Sequence, residues 1–277
     1  MKATQASSGG NPNARLRRIE GRHNALVKDL RGAFSRGERT DDGHCAIEGF
    51  RIVEEAIRSG LRFRAVFFSE SAAPRAERLL SQLGAQVETL MLPRKLFATA
   101  VPSDAPQGVA ALVRWKEFSL DEVLAKSQAG PLLAIAGVQD PGNLGTILRS
   151  AEAFGAGGVV LGEGTVSLFN PKVVRASAGS VFRLPVVHAK LSEALGRIKQ
   201  QGLRLVATAS HKGTPLDQAK LSGPLAIFIG SEGAGLSRDL IKAMDEVVGI
   251  PQAPQVESLN AGVAASIVLY EVMRQRK

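Results

Sequence analysis

Four short apolar segments, separated by stretches of helical periodicity, constrain the fold of the C-terminal half of the chain. They occupy residues 132–136, 158–161, 203–207 and 225–229. Runs that are apolar throughout, without alternation, are typical of parallel strands buried on both faces. Strands that alternate with helices predict an open, mostly parallel α/β sheet. In such sheets, ligands bind at the carboxyl ends of the strands.

A second alternation of shorter elements precedes this region and predicts a small α/β domain over residues 21–114. The pattern predicts helices over 24–34, 51–59 and 75–83, and strands over 44–48, 64–68, 87–90 and 109–113. We expect residues 1–20 to form a flexible basic tail and residues 115–130 to form a linker, with a possible helix over 120–125. The larger domain then covers residues 131–277.

The charge of the chain predicts a polyanionic partner, most simply nucleic acid. The net charge is +9 with a pI near 10.0, and residues 1–40 hold nine Lys or Arg against three Asp or Glu. Such an uneven distribution favours a surface that binds a phosphate backbone. It is less typical of charge that only keeps a protein soluble. The side chains predicted to contact this nucleic acid are Arg22, Lys28, Arg31, Arg39 and Arg175.

Composition also bears on the cellular compartment of the protein, on membrane association and on metal binding. No apolar run approaches the length needed to cross a bilayer, so we expect no membrane association. The N-terminus lacks the apolar centre of a secretory signal, although it faintly resembles an organellar presequence. The single cysteine, Cys45, excludes an internal disulfide and is typical of a reducing compartment, so we expect a cytoplasmic protein. The four histidines are scattered, so we expect no metal site.

The first of three polar, glycine-containing segments follows the first predicted strand, at residues 139–150. Asn143 is a candidate cap for the helix that begins there. The buried face of that helix is predicted to contain Leu144, Ile147, Leu148 and Ala151, which leaves Arg149 off the apolar stripe. Arg149 is therefore either an ordinary surface residue or a phosphate-binding residue near a helix N-terminus.

The second and third segments follow later strands. Residues 229–237 read Ile-Gly-Ser-Glu-Gly-Ala-Gly-Leu-Ser, which is neither a dinucleotide fingerprint nor a P-loop. Glycines here would let a ligand approach the backbone closely. The third segment runs from Gly249 through Gln252 to residues 256–265. Ser258 is a candidate cap for a C-terminal helix, and Leu259, Val263 and Ile267 have the spacing of its buried stripe.

Taken in order and spacing, these segments resemble the three signature motifs of the SpoU-type (TrmH-like) branch of the SPOUT RNA methyltransferases. The matching patterns are Asn-x-Gly-x-x-x-Arg at 143–149, Ile-Gly-Ser-Glu-Gly at 229–233, and Ile-Pro followed by Ser-Leu-Asn at 258–260. The resemblance covers residues 131–271 and includes residues 170–179. The N-terminal part, with Gly-Arg-His-Asn at 21–24 and Glu-Gly at 48–49, is similar to the substrate-binding domain that often precedes this catalytic domain.

The resemblance implies methyl transfer from S-adenosylmethionine to a ribose 2′-hydroxyl in RNA. It also implies a trefoil knot and a homodimer formed through the C-terminal domain. The implied catalytic residues are Asn143, Arg149, Glu232, Ser258 and Asn260, and the implied cofactor-binding residues are Thr208, Gly230, Ile250 and Leu259. Arg149 would clamp RNA phosphate and stabilise the developing alkoxide, since a guanidinium stays protonated. Glu232 would be either a general base or an ion-pair partner of Arg149.

Two positions depart from the family pattern. Gly262 stands where Ser or Ala is common, and Gln252 stands where Met is common, which bears on substrate preference.

The basic N-terminal domain favours ribosomal RNA as the substrate, and transfer RNA is the alternative. A catalytically idle RNA-binding scaffold would keep the fold without binding S-adenosylmethionine. A dinucleotide-dependent oxidoreductase is disfavoured because its glycine fingerprint is missing.

Overall fold

The structure, a computed structural model, describes residues 15–103, 106–210, 212–231 and 233–276. The chain divides into two compact units, Met1–Trp115 and Lys116–Lys277. Each unit is built around its own sheet.

The N-terminal unit is a five-stranded mixed sheet with helices. Its elements are β1 (Leu16–Arg18), α1 (Ala25–Arg36), β2 (His44–Glu48), α2 (Phe50–Arg58), β3 (Arg62–Ser69), α3 (Ala73–Leu80), β4 (Glu88–Leu92), α4 (Arg94–Ala100) and β5 (Val109–Arg114). The strand order is β1-β4-β3-β5-β2, with β5 antiparallel to both neighbours. Helices α1 and α4 pack together against one face, and Asn24 caps α1 by accepting hydrogen bonds from the N–H groups of Leu26 and Val27.

Cys45 lies on β2, an edge strand of this sheet. Its side chain is fully buried, and burial raises the pKa of the thiol to about 12. Because the thiolate is the reactive form, the folded unit keeps this cysteine chemically inert.

The C-terminal unit is an entirely parallel sheet of seven strands. Its elements are α5 (Leu120–Lys126), β6 (Leu132–Ile135), α6 (Pro141–Ala153), β7 (Gly158–Leu161), α7 (Pro171–Ala176), β8 (Val186–His188), α8 (Leu191–Gln200), β9 (Arg204–Ala209), β10 (Thr214–Pro215), β11 (Leu225–Ile229), α9 (Arg238–Lys242), β12 (Glu246–Gly249) and α10 (Ala261–Arg276). The strand order is β10-β12-β9-β11-β6-β7-β8. The predicted parallel α/β sheet is confirmed, and the trefoil knot stays a prediction.

The sequence prediction missed three strands of this sheet. β8, β10 and β12 are two to four residues long and carry His, Thr, Pro or Glu among their residues. Their sequences therefore lack the continuous apolar run by which the other four strands were recognised.

Ordered elements also lie within the segments predicted as tail and linker. β1 pairs in parallel with β4 and falls inside the predicted tail, of which residues 1–14 lie outside the described part of the chain. Helix α5 falls inside the predicted linker. It packs Val123 and Leu124 into the core of the C-terminal unit and begins at a capping box between Ser119 and Glu122.

The predicted buried stripe of the C-terminal helix was wrong. Val263 and Ile267 of α10 are 47% and 37% exposed. The helix instead buries the face formed by Ala261, Gly262, Ala265, Val268, Leu269 and Val272. Small residues near its amino end let it lie close to α6, so helical spacing alone identified the wrong apolar face.

Gly145 permits a close approach between α6 and α7. A Cβ at this position would clash with Ala176 and would lie 2.8 Å from the carbonyl oxygen of Val173. Since backbone atoms cannot move aside cheaply, this glycine sets the distance between the two helices.

We predict that Gly145→Ala destabilises the protein by about 1–3 kcal/mol because the added methyl group overpacks this contact. Urea unfolding followed by circular dichroism would measure the loss. Gly196→Ala is the matched control, because Gly196 lies within α8 and a Cβ there meets nothing within 4 Å. That change should be neutral or stabilise by up to about 1 kcal/mol. Equal effects of the two changes would contradict the packing argument.

Candidate active site

A cavity of about 410 Å³ lies at the carboxyl edge of the parallel sheet in the C-terminal unit. Its walls come from the ends of β9, β11 and β12 and from the amino end of α10. The described lining residues include all four predicted cofactor-binding positions, Thr208, Gly230, Ile250 and Leu259, together with Ser258. Five residues from three separate parts of the sequence therefore meet at one site.

The loop after β11 closes tightly beside this cavity. The backbone groups of Ser231 and Gly235 exchange hydrogen bonds of 3.3 and 3.1 Å, and Gly235 has a φ of +65°. A Cβ on Gly230 would clash with the backbone of Gly235 and Leu236. Glycine at 230 is thus required by the turn itself and leaves the backbone accessible from the cavity. Glu232, in the same loop, lies outside the described residues.

A side-chain hydrogen bond joins the first and third predicted motifs. Nδ2 of Asn260 donates to Oδ1 of Asn143 at 2.7 Å. Oδ1 of Asn260 accepts from the N–H groups of Gly262 and Val263, at 3.0 and 3.2 Å, so Asn260 caps α10. One carboxamide therefore starts the C-terminal helix and fixes a polar side chain of α6.

The two predicted helix caps were wrong, by two or three residues in each case. Asp140 caps α6, because its carboxylate accepts from the N–H of Asn143 at 2.7 Å. Pro141 occupies the first helical position, and proline is favoured there, so the sequence did carry a signal for Asp140. Ser258 lies before the cap of α10 and instead faces the cavity.

Arg149 lies on the exposed side of α6, next to the face that contacts α10. Asn143, Thr146 and Ser150 form that contacting face, where the hydroxyls of Ser150 and Ser266 are 2.6 Å apart. Arg149 is rotated away from it by the helical repeat. No hydrogen bond or ion pair joins Arg149 to another described residue. Its guanidinium is therefore available to a ligand from solvent.

The structure distributes the predicted RNA-binding residues over both units. Arg22, Lys28 and Arg39 are exposed around α1 of the N-terminal unit. Arg31 is half-buried, and its Nε donates to the carbonyl of Thr99 in α4 at 3.3 Å, so it has a structural role as well. Arg175 is exposed on α7 of the C-terminal unit.

Two family descriptions match this chain. A substrate-binding domain of the MRM3-like type matches residues 24–111, and the SpoU rRNA methylase family matches residues 131–270. The chain belongs to the SpoU rRNA methylase family. The resemblance inferred from the three motifs is thereby confirmed, as is the prediction that the protein is an RNA methyltransferase.

Relatives of the SpoU family match the chain along nearly its full length. The 23S rRNA (guanosine(2553)-2′-O)-methyltransferase RlmP of Bacillus subtilis is 34% identical over 93% of this chain and 99% of its own. A solved RNA 2′-O ribose methyltransferase is 34% identical with a TM-score of 0.77, covering 94% of this chain and 99% of its own. An AdoMet-bound rRNA methyltransferase from Sinorhizobium meliloti is 29% identical with a TM-score of 0.81, covering 94% and 98%.

The described residues contain neither a candidate membrane span nor a candidate metal cluster. None of the helices found there has both the length and the apolar character required to span a bilayer. No group of three or more His, Cys, Asp or Glu side chains in that part of the chain is arranged to hold a metal ion.

Among the polar residues of the cavity wall to which sequence reasoning assigned no role, two have long side chains. Lys212 and Gln252 both line the cavity. As a departure from the family pattern, Gln252 predicts an effect on substrate preference, whereas the structure places it beside the predicted cofactor positions. Lys212 belongs to no motif, although it lies three residues after the end of β9, a position that could have placed it at this edge of the sheet.

We predict that Asn260→Asp separates the two roles of Asn260. A carboxylate can still cap α10, so the free energy of unfolding should change by less than about 1 kcal/mol. The amide donor to Asn143 is lost, so methyl transfer should fall by about tenfold or more, as expected for a misplaced polar group in a preorganised site. Chemical unfolding and a methyl-transfer assay would measure the two effects.

Asn260→Ala is the companion variant, because it removes both the cap and the donor. It should cost about 1–2 kcal/mol of stability in addition to the loss of activity. If Asn260→Asp retained full activity, the contact with Asn143 would be unimportant for catalysis.

Proposed function

We propose that this protein transfers a methyl group from S-adenosylmethionine to a ribose 2′-hydroxyl in ribosomal RNA and that it acts in the cytoplasm. The observation that supports this most directly is that the second and third motifs line one cavity at the edge of the parallel sheet, while the first motif is joined to the third by the hydrogen bond between Asn143 and Asn260. Full-length similarity to a Bacillus subtilis 23S rRNA 2′-O-methyltransferase favours ribosomal over transfer RNA. The basic N-terminal unit supplies a surface for a large folded RNA.

The cavity is suitable for a cofactor of this kind. Its volume lies within the range of small-molecule sites. Thr208, Gly230, Ile250 and Leu259 would hold the cofactor, largely through backbone groups. Its chemical contribution is a methyl group on a positively charged sulfur, which is already electrophilic.

The protein's own residues then have to align and activate the ribose oxygen. We assign Arg149 to the RNA phosphate beside the target ribose, where its planar guanidinium holds two oxygens and stabilises charge that develops on the hydroxyl oxygen. Asn143 is fixed by Asn260 and orients the ribose. Ser258, on the cavity wall, completes the polar rim. Glu232 serves either as the proton acceptor or as an ion-pair partner of Arg149.

We further propose that the protein acts as a homodimer formed through α10. Val263, Ile267 and Tyr270 follow one another at helical spacing and are 47%, 37% and 50% exposed. An exposed apolar stripe of this kind marks a protein interface more often than a free surface. It lies on the same helix whose amino end lines the cavity, so the interface would be next to the active site.

We predict that Arg149→Ala lowers the rate of methyl transfer by about 100- to 1,000-fold, because the developing charge loses its stabilising donor. The assay uses labelled S-adenosylmethionine with separately purified, unmodified ribosomal and transfer RNA. Lys199→Ala is the matched control, since it also removes one positive charge from an exposed helical position, on α8. It should leave the rate unchanged.

The same assay distinguishes the competing functions. Label in ribosomal RNA alone supports the proposal. Label in transfer RNA alone would show that transfer RNA, and not ribosomal RNA, is the substrate. Absence of label together with absence of cofactor binding would favour an idle RNA-binding scaffold. Arg149→Lys should retain only part of the activity, because an ammonium cannot hold two phosphate oxygens in a plane. A near-full rate in that variant would rule out the two-oxygen clamp.

We predict that Ile267→Glu converts the dimer to a monomer, because a charge would be buried in the apolar interface. Size-exclusion chromatography with light scattering would measure the molar mass. Lys199→Glu, an acidic substitution on α8, should leave the mass unchanged. A monomeric parent protein would contradict the proposed dimer directly.

A further inference from the structure

Lys212, an exposed residue of the cavity wall, has no role in the reaction as described above. Lys212 is the one residue with a charged side chain among the described residues that line the cavity. No hydrogen bond or ion pair joins it to another described residue. A surface lysine is ordinarily solvated and has a mobile aliphatic stem. A binding role for Lys212 therefore requires that its backbone be held in place beside the cavity.

The backbone of Lys212 is held against strand β12. A Cβ on Gly249 would lie 3.1 Å from the carbonyl oxygen of Lys212, so glycine at 249 permits this contact. Gly213 has a φ of +96°, and a Cβ there would clash with the carbonyl group of Val247. β10 begins at the next residue, Thr214, and pairs in parallel with β12. Lys212 therefore projects from a fixed point at the cavity wall.

The other side of the Lys212 loop is fixed by Gln252. Nε2 of Gln252 donates to the carbonyl oxygen of Ser210 at 3.1 Å. This contact fixes the orientation of the carboxamide, because a carbonyl accepts only from the nitrogen. Oε1 is consequently buried without a partner among the described residues, which costs stability. A cost of this kind is understandable where the contact holds a functional loop in place.

We propose that Lys212 binds the carboxylate at the amino-acid end of the methyl donor and that Gln252 positions it for this contact. The inference rests on the proposed function, which places S-adenosylmethionine in this cavity. A carboxylate is the complementary group for an ammonium, and among the described lining residues Lys212 is the one that supplies positive charge. The lysine would thus select a cofactor that carries a carboxylate.

The test compares two ligands that differ only in this group, S-adenosylmethionine and decarboxylated S-adenosylmethionine. Isothermal titration calorimetry measures the Kd of each for the parent protein and for Lys212→Met, Lys212→Arg and Lys199→Met. We expect Lys212→Met to weaken binding of S-adenosylmethionine by roughly threefold to fivefold, as for a partly exposed ion pair. Binding of the decarboxylated ligand should not weaken. Lys212→Arg should restore most of the loss, and Lys199→Met should change neither Kd.

Salt provides a second readout that a merely structural role would not produce. The difference between the parent protein and Lys212→Met should shrink as the ionic strength rises, since salt screens an exposed ion pair. Gln252→Met should reproduce part of the loss for S-adenosylmethionine and little of it for the decarboxylated ligand. Gln255→Met, on the same loop and exposed, is its matched control.

Two outcomes would overturn the inference and leave the proposed function intact. These are an equal loss of affinity for both ligands and no loss for either. Failure of the parent protein to bind S-adenosylmethionine would overturn the proposed function itself, and this inference with it.

Discussion

Parallel pairing around β9 is the constraint on which the candidate site depends. β9 pairs with β11 on one side and with β12 on the other, and all three strands run in the same direction. Segments that follow these strands, although about twenty residues apart in the sequence, are therefore delivered to one edge of the sheet. Helix α10 closes the edge with its amino end. Each motif alone is a polar turn, and only the sheet order turns them into a site.

At this edge of the sheet, side-chain hydrogen bonds hold the polar residues near the cavity in position. The contact between Asn143 and Asn260 joins two helices whose starting points are 120 residues apart. The contact between Gln252 and Ser210 does the same for two loops. Both use a carboxamide, which has donors and an acceptor on one rigid plane. Arg149 and Lys212, by contrast, have no such partner among the described residues, as the roles proposed for them require.

Much of the fold could be predicted from sequence, because buried parallel strands carry an unmistakable apolar run. The strand at Leu225–Ile229 is an example, with all five residues buried. β10 could not be predicted, because Thr214–Pro215 has no local preference for a strand and is held by pairing with β12 alone. The prediction that the stripe of α10 containing Val263 and Ile267 is buried was wrong for a related reason. Periodicity identifies an apolar face of a helix, but it does not show whether another part of the chain packs on that face. The predicted site positions required the resemblance, since no periodicity assigns chemistry to a glycine-rich turn.

The inertness of Cys45 has a practical consequence for studies of this protein. It is the single cysteine of the chain, and it is fully buried in the sheet of the N-terminal unit. A thiol reagent added to the native protein would therefore react only when that unit opens, and the rate of modification would report the opening free energy of one half of the molecule. Modification of Cys45 would thus follow the opening of the N-terminal unit and would not respond to motions confined to the C-terminal unit.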